Sequence, residues 1–145
     1  MAKILIASDH AGFHLKEELK EYFKDDHEFI DFGPDSSDSV DYPDYAHKLS
    51  QNISDNENSF GLLICGSGIG MSMVANRYKD VRAALCLNEK MAKLSRSHNN
   101  ANVLVLGSRL ISCEEAIKCL IMFFKSKFEG NRHQARLDKF NDVKM

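Results

Sequence analysis

The stretch "GLLICGSGIGMSMVANR", Gly61 to Arg77, decides the fold. Its first half is apolar without alternation, the pattern of a strand covered on both faces. Glycine then occupies every second position from Gly66 to Gly70, and an amphipathic segment over 70–78 follows. A buried strand, a tight turn and a helix make one βα unit. Comparable runs stand at "KILIAS" (3–8), "EFIDF" (28–32), "FGLLIC" (60–65), "RAALCL" (82–87) and "NVLVLG" (102–107). Between and after them the apolar spacing is nearer 3.6 than 2, which predicts helices over 13–25, 42–55, 70–78, 89–97 and 113–128. "NRHQARLDKFNDVKM", after Gly130, reads as a short basic helix at the end. The expected class is α/β, one domain over 1–145 with a five-stranded parallel sheet.

A chain of 145 residues buries enough surface to fold without disulfides or a structural metal. With 28% charged residues, 43% hydrophobic residues and a net charge of −2, it carries no strong field for nucleic acid or a membrane. The expected partners are small molecules or further copies of the chain. The apolar run in "MAKILIASDHAG" is too short for a signal sequence, and no stretch approaches 18 apolar residues, so a cytoplasmic location is expected. The four cysteines form no Cys-x-x-Cys pair and have no histidine at zinc-ligand spacing, so no metal site is expected. Cys86, Cys113 and Cys119 read as small buried apolar residues; only Cys65 has a context that asks for more. The helix over 113–128 carries Ile117, Leu120, Ile121, Phe123, Phe124 and Phe128, either as a core helix or partly as a contact with a second copy.

Ligands of open α/β sheets bind beyond the carboxyl ends of strands, where Cys65 to Gly70 lies. Several familiar loops are excluded. Met71 stands where a dinucleotide fingerprint needs a small residue and where a Cys-x5-Arg phosphatase needs arginine; no Gly-Lys-Ser/Thr follows; and Leu63 and Ser67 replace the glycines of a nucleophile elbow. What remains is a ring of backbone N–H groups with the Ser67 hydroxyl, suited to a phosphate or a developing oxyanion and favourable to a Cys65 thiolate. The plainer alternative is a glycine-rich turn beside a buried cysteine. Asp9 and His10 end the first run and meet Cys65 if the first and third strands are neighbours, although Asp9 also reads as a helix cap. His98 and Asn99 precede the last strand and Arg109 follows it; a histidine in a polar loop is ordinarily a surface residue. Arg132 and Arg136, four apart with His133 beside Arg132, form either a clamp for a phosphate monoester or a solvated tail. Tyr42, before Pro43, walls a ligand or packs.

Taken in order over nearly the whole chain, "SDHAGFHLK", "DYPDYA", "LLICGSGIGMSMVANR", "RAALC", "RSHNNANVLVLGSR" and "EGNRHQAR" resemble the type B ribose-5-phosphate isomerases, in the family shared with galactose-6-phosphate isomerase subunits. The resemblance implies a Rossmann-like three-layer fold, a homodimer sometimes paired into tetramers, sites lined by both chains, and no metal or organic cofactor. It implies interconversion of ribose 5-phosphate and ribulose 5-phosphate through a cis-enediolate. Cys65 matches the base, the loop containing Gly66, Gly68, Ile69 and Gly70 matches the anion hole, and Ser67 matches a hydroxyl that bonds the reacting groups. His98 matches the residue that opens the furanose, Asp9 an acid near the sugar hydroxyls, and Asn99 a sugar contact. His10, Arg109, Arg132 and Arg136 match phosphate positions. The alternatives are a six-carbon substrate (allose 6-phosphate or galactose 6-phosphate), a non-catalytic sugar-phosphate sensor, and a Cys-His hydrolase using Cys65 and His98. His98 and "RHQAR", which the galactose-6-phosphate subunits lack, favour the ribose reaction. Asn88–Glu89 and Asn100 depart from common family residues, outside the chemical positions.

Overall fold

The computed structural model describes residues 2–56 and 58–144. Along the chain run β1 (Ala2–Ser8), α1 (Phe13–Tyr22), β2 (His27–Asp31), α2 (Tyr42–Ser50), β3 (Phe60–Cys65), α3 (Ile69–Ala75), β4 (Ala83–Leu85), α4 (Glu89–Ser97), β5 (Val103–Gly107), α5 (Cys113–Lys125) and α6 (Arg132–Leu137). The five strands are all parallel, in the order β2-β1-β3-β5-β4. The expected neighbours β1 and β3 do pair, with Ser8 opposite Ile64.

Side chains alternate across the sheet, which sorts the apolar runs into two layers. Ile4, Ile6, Leu62, Ile64, Leu104 and Leu106 pack with Leu19 of α1, Ala92 of α4 and Leu120 and Phe123 of α5. Ala7, Leu63, Cys65, Val103 and Val105 point the other way, onto Leu49 of α2 and Met71 and Ala75 of α3. Both faces of the central strands are thus covered, the physical reason for their unbroken apolar sequences. Right-handed crossovers give the same layering. The steps β1 to β2 and β4 to β5 run one way along the sheet and β2 to β3 and β3 to β4 the other, which places α1 and α4 opposite α2 and α3.

Several helices end earlier than their periodicity predicts. α1 stops at Tyr22, not 25, because buried Phe23 is its last core anchor and the chain turns there, His27 N–H bonding back to the Phe23 carbonyl at 2.9 Å. α2 stops at Ser50, not 55; Ile53 reaches the core through a turn in which its N–H bonds the Ser50 carbonyl. α3 stops at Ala75, not 78, because the Asn76 amide pairs with both the N–H and the carbonyl of Ala83 at 2.8 and 2.9 Å. β4 has three residues, Ala83–Leu85, where six were expected over 82–87. α5 ends at Lys125, where Ser126 turns extended and its hydroxyl bonds the Met122 carbonyl.

Lys16 is the largest fully buried side chain outside the apolar layers. Its ammonium donates to both oxygens of Asp31 and to the Pro34 carbonyl, tying α1 to the end of β2. Burial works to raise the Asp31 carboxyl, but the hydrogen bonds from Lys16, Lys20 and the Gly33 N–H outweigh it and hold the group below its ordinary value. Among the described residues no helix is long and apolar enough to cross a membrane.

Candidate active site

β1 leads to a helix on one face of the sheet and β3 to a helix on the other, so a crevice opens between their carboxyl ends. The loops there are cross-linked: Asp9 N–H to the Ile64 carbonyl, Ser108 hydroxyl to the Ala11 carbonyl, Arg109 N–H to the Gly66 carbonyl. Each such bond contributes on the order of 1 kcal/mol, and together they fix where the side chains emerge. Cys65, 4% exposed, ends β3 with its sulfur accepting the Gly68 N–H at 3.1 Å. That hydrogen bond ties the sulfur to the loop. Gly68 makes it from φ +79°, a left-handed conformation that side chains disfavour. The Ser67 hydroxyl accepts the Ile69 N–H at 3.2 Å, while the N–H groups of Ser67 and Gly70 have no hydrogen-bond partner among the described residues. Those donors make the loop receptive to an oxyanion.

Around this loop stand four more of the expected residues. The Tyr42 ring, half-exposed at the start of α2, lies so close over Gly70 that a Cβ there would collide with it. Arg109 rests its guanidinium against Gly66. Asp9 is buried and closes the turn ahead of α1, Oδ1 accepting the Gly12 N–H at 3.0 Å; it is not the expected helix cap, since Gly12 is the N-cap of α1 and no side chain caps that helix. His10 has its Nδ1 3.2 Å from both the N–H and the carbonyl oxygen of Val40. The Val40 N–H donates to Nδ1 when that nitrogen is unprotonated, and the Val40 carbonyl accepts from it when it carries the hydrogen, so the contact fixes the ring in either tautomer and leaves Nε2 for a ligand.

His98, Asn99, Arg132 and Arg136 are somewhere else. α4 runs from the carboxyl end of β4 back to the amino end of β5, so His98 and Asn99 lie beyond the opposite edge of the sheet from Cys65. The four residue steps from Val103 to Gly107, at about 3.3 Å each, separate the two ends by roughly 13 Å or more. Within one chain Cys65 and His98 do not meet, which removes a hydrolase dyad built from them in a single copy. The distal loop is firmly held: Arg82 Nε donates to the Asn100 carbonyl and Arg96 Nη1 to the Asn100 side chain and the Ala101 carbonyl. Asn100 takes φ +47°, and Asn88 caps α4 by accepting the Met91 N–H. The two departures from the family sequence are therefore structural.

Two more residues stand at this end: His133, read from the sequence only as part of a phosphate clamp with Arg132 and Arg136, and Glu129, which was not singled out. His133 is 6% exposed, its ring stacked on His98 with centroids 4.3 Å apart and planes 16° apart. Glu129 lies 4.0 Å from His98 and 3.6 Å from His133. Burial, then Arg132 and His98, lowers the His133 pKa, while Glu129 opposes the shift. The only sequence signal for Glu129 was its presence inside "EGNRHQAR". His98, Glu129 and His133 are also the one group of three potential metal ligands among the described residues. Their near-parallel rings do not aim two nitrogen lone pairs at one point about 2.0–2.1 Å from each, as a zinc ion requires. Of the other thiols, burial pushes Cys86 up to about 11 and Cys119 up to about 12, and burial with Glu18 pushes partly exposed Cys113 up to about 11.

A parallel α/β sheet with a thiol and free backbone donors at its switch point defines the class as an α/β protein built to bind a small anionic ligand. The chain belongs to the Ribose/Galactose Isomerase family, whose model matches residues 4–140. It is 38% identical over 144 residues to ribose-5-phosphate isomerase B of Escherichia coli K12, covering 99% of this chain and 97% of that one. It superposes on a ribose 5-phosphate isomerase from Thermotoga maritima with a TM-score of 0.93 and 53% identity, covering 98% and 99% of the two chains. For ribose-5-phosphate isomerase B of Mycoplasma genitalium, solved with bound ribulose 5-phosphate, the TM-score is 0.89 at 45% identity, with 94% and 92% covered.

Proposed function

We propose that this protein interconverts ribose 5-phosphate and ribulose 5-phosphate, and that a second copy of the chain completes each site. The observation that carries the chemistry is the Cys65 sulfur under the Gly68 N–H, beside the unpartnered N–H groups of Ser67 and Gly70. In the furanose the C1–O4 bond breaks, O4 takes a proton from His98, and the anomeric hydroxyl loses its proton as the aldehyde forms. Cys65 then removes the C2 proton, the charge moves onto O1 of a cis-enediolate held by the loop N–H groups, the O2 proton passes to O1, and the proton on Cys65 returns at C1 as C2=O forms, giving the ketose. His10 and Arg109 from one copy, with Arg132 and Arg136 from the other, hold the phosphate and so bring C2 to the sulfur. Asp9, Ser67 and Asn99 hold the sugar hydroxyls, and Tyr42 closes the wall.

The dimer reading is supported by what water touches. Leu87, Met91 and Leu94 are exposed and spaced along α4 in line with His98, and Ile69 and Met73 of α3 are exposed at the carboxyl end. A two-fold contact covering these residues brings the end of one sheet against the opposite end of another. The test is turnover of ribose 5-phosphate by chelator-treated protein beside Cys65→Ala, Arg132→Ala, and an equal mixture of the two variants after dissociation and reassembly. Shared sites require both variants to be inactive alone and the mixture to recover about a quarter of wild-type activity, since half the dimers are mixed and each has one intact site. Faster turnover of allose 6-phosphate changes only the sugar. Sugar-phosphate binding without turnover of either substrate refutes the enzyme and leaves the sensor.

A further inference from the structure

The mechanism above leaves Glu129 without a task, although it stands closest to the proposed ring-opening acid. Its carboxylate straddles two imidazoles, Oε2 lying 4.0 Å from His98 Nε2 and Oε1 3.6 Å from His133 Nε2. The placement is built into the backbone. Glu129 N–H donates to the Ser97 carbonyl at 3.0 Å, holding the segment against the end of α4. The chain then turns through Gly130 at φ +71° and Asn131 at φ +52°, which brings His133 back over His98.

The pair has an electrostatic difficulty that a carboxylate resolves. Two imidazoles in face-to-face contact cannot both carry charge without strong repulsion. His133 is buried next to Arg132, and its Nε2 has no hydrogen-bond partner among the described residues. His98 is half-exposed at the C-terminus of a nine-residue helix. Without Glu129 the nearest charges of α6, Arg132 and Arg136, would act on His133 unopposed. We propose that Glu129 is a positioning residue for ring opening: its carboxylate, set between the two stacked rings, offsets the cationic field of α6 at the pair, so that the pair can deliver a proton through His98 to O4 of the furanose. This rests on the reading of His98 as the ring-opening acid. His133 then serves as a rigid neutral backing for the His98 ring.

The step has a selective consequence. Glu129 matters to substrate that arrives as a ring and is indifferent to a ligand already open. Glu129→Gln, which keeps the shape and loses the charge, is compared with Glu129→Asp and wild type in two measurements. One is kcat and KM for ribose 5-phosphate. The other is inhibition by an acyclic hydroxamate phosphate one carbon shorter than the substrate, which mimics the enediolate and has no ring to open. The expected result is a kcat lower by about tenfold or more in Glu129→Gln, part of the range of a lost general acid, with KM and the inhibition constant within about twofold and partial recovery in Glu129→Asp. Unchanged kcat overturns the proposal, and so does a parallel loss of hydroxamate binding, which marks Glu129 as a general scaffold of the site. Full turnover by His98→Asn refutes the underlying ring-opening reading instead, so the two failures are distinguishable.

Discussion

Replacing Gly68 by alanine perturbs strain and chemistry at one atom. Gly68 sits at φ +79°, where an L side chain costs about 1–2 kcal/mol. The added Cβ collides with Leu85 Cδ1 and lies 3.1 Å from the Leu106 carbonyl carbon, so the loop must shift away from the backbone of β5. Such overpacking costs about 1–3 kcal/mol, for a combined loss of roughly 2–5 kcal/mol. At about 2–4 °C per kcal/mol for a chain near this size, a loss of about 3 kcal/mol lowers Tm by roughly 6–12 °C. The same shift withdraws the Gly68 N–H from the Cys65 sulfur and displaces the neighbouring N–H groups of the loop. Loss of one oxyanion donor costs on the order of 10²–10³ in kcat. Thermal unfolding and steady-state turnover of ribose 5-phosphate, measured below the variant's own transition, separate the two effects. A folded variant with kcat within about threefold of wild type would falsify the role given to this loop.

Alkylation should distinguish the thiols: at pH 7.5 iodoacetamide modifies Cys65, with substrate protecting it, while Cys86 and Cys119, pushed up to about 11 and about 12, stay unmodified by mass spectrometry. Acid should weaken the strut under α1. Because the folded-state Asp31 carboxyl is depressed, its contribution is present above the unfolded value near 4 and lost as pH falls through the folded one; urea unfolding of Asp31→Asn should lack this part of the acid slope. Lys16→Met should cost about 1–3 kcal/mol in the same assay, less than for a fully buried pair because Lys20 still reaches Asp31. Met91→Asp should yield monomers by light scattering and lose turnover together with the dimer; an active monomer contradicts the shared site.

Much of the fold was legible because its determinants are local. Apolar runs such as "LLIC" and "VLVL" lack alternation since both faces of their strands are covered, and a glycine-rich turn after such a run points to the carboxyl end of a sheet. The grouping of Asp9, His10 and Cys65 needed only that β1 and β3 be neighbours. The early end of α3 was not legible, because the Asn76 amide pairs with a residue seven positions away that periodicity does not weigh. Nor did spacing reveal that β5 inserts between β3 and β4, which follows from how the crossovers pack. The sequence by itself determined the residue types of the site and the elements that carry them. Only the tertiary structure decided that Cys65 and His98 stand at opposite ends of one sheet, and that Glu129 straddles two stacked histidines. Both depend on the direction in which α4 returns across the sheet and on where α6 folds back, and those are set by long-range packing, which adjacent residues do not encode.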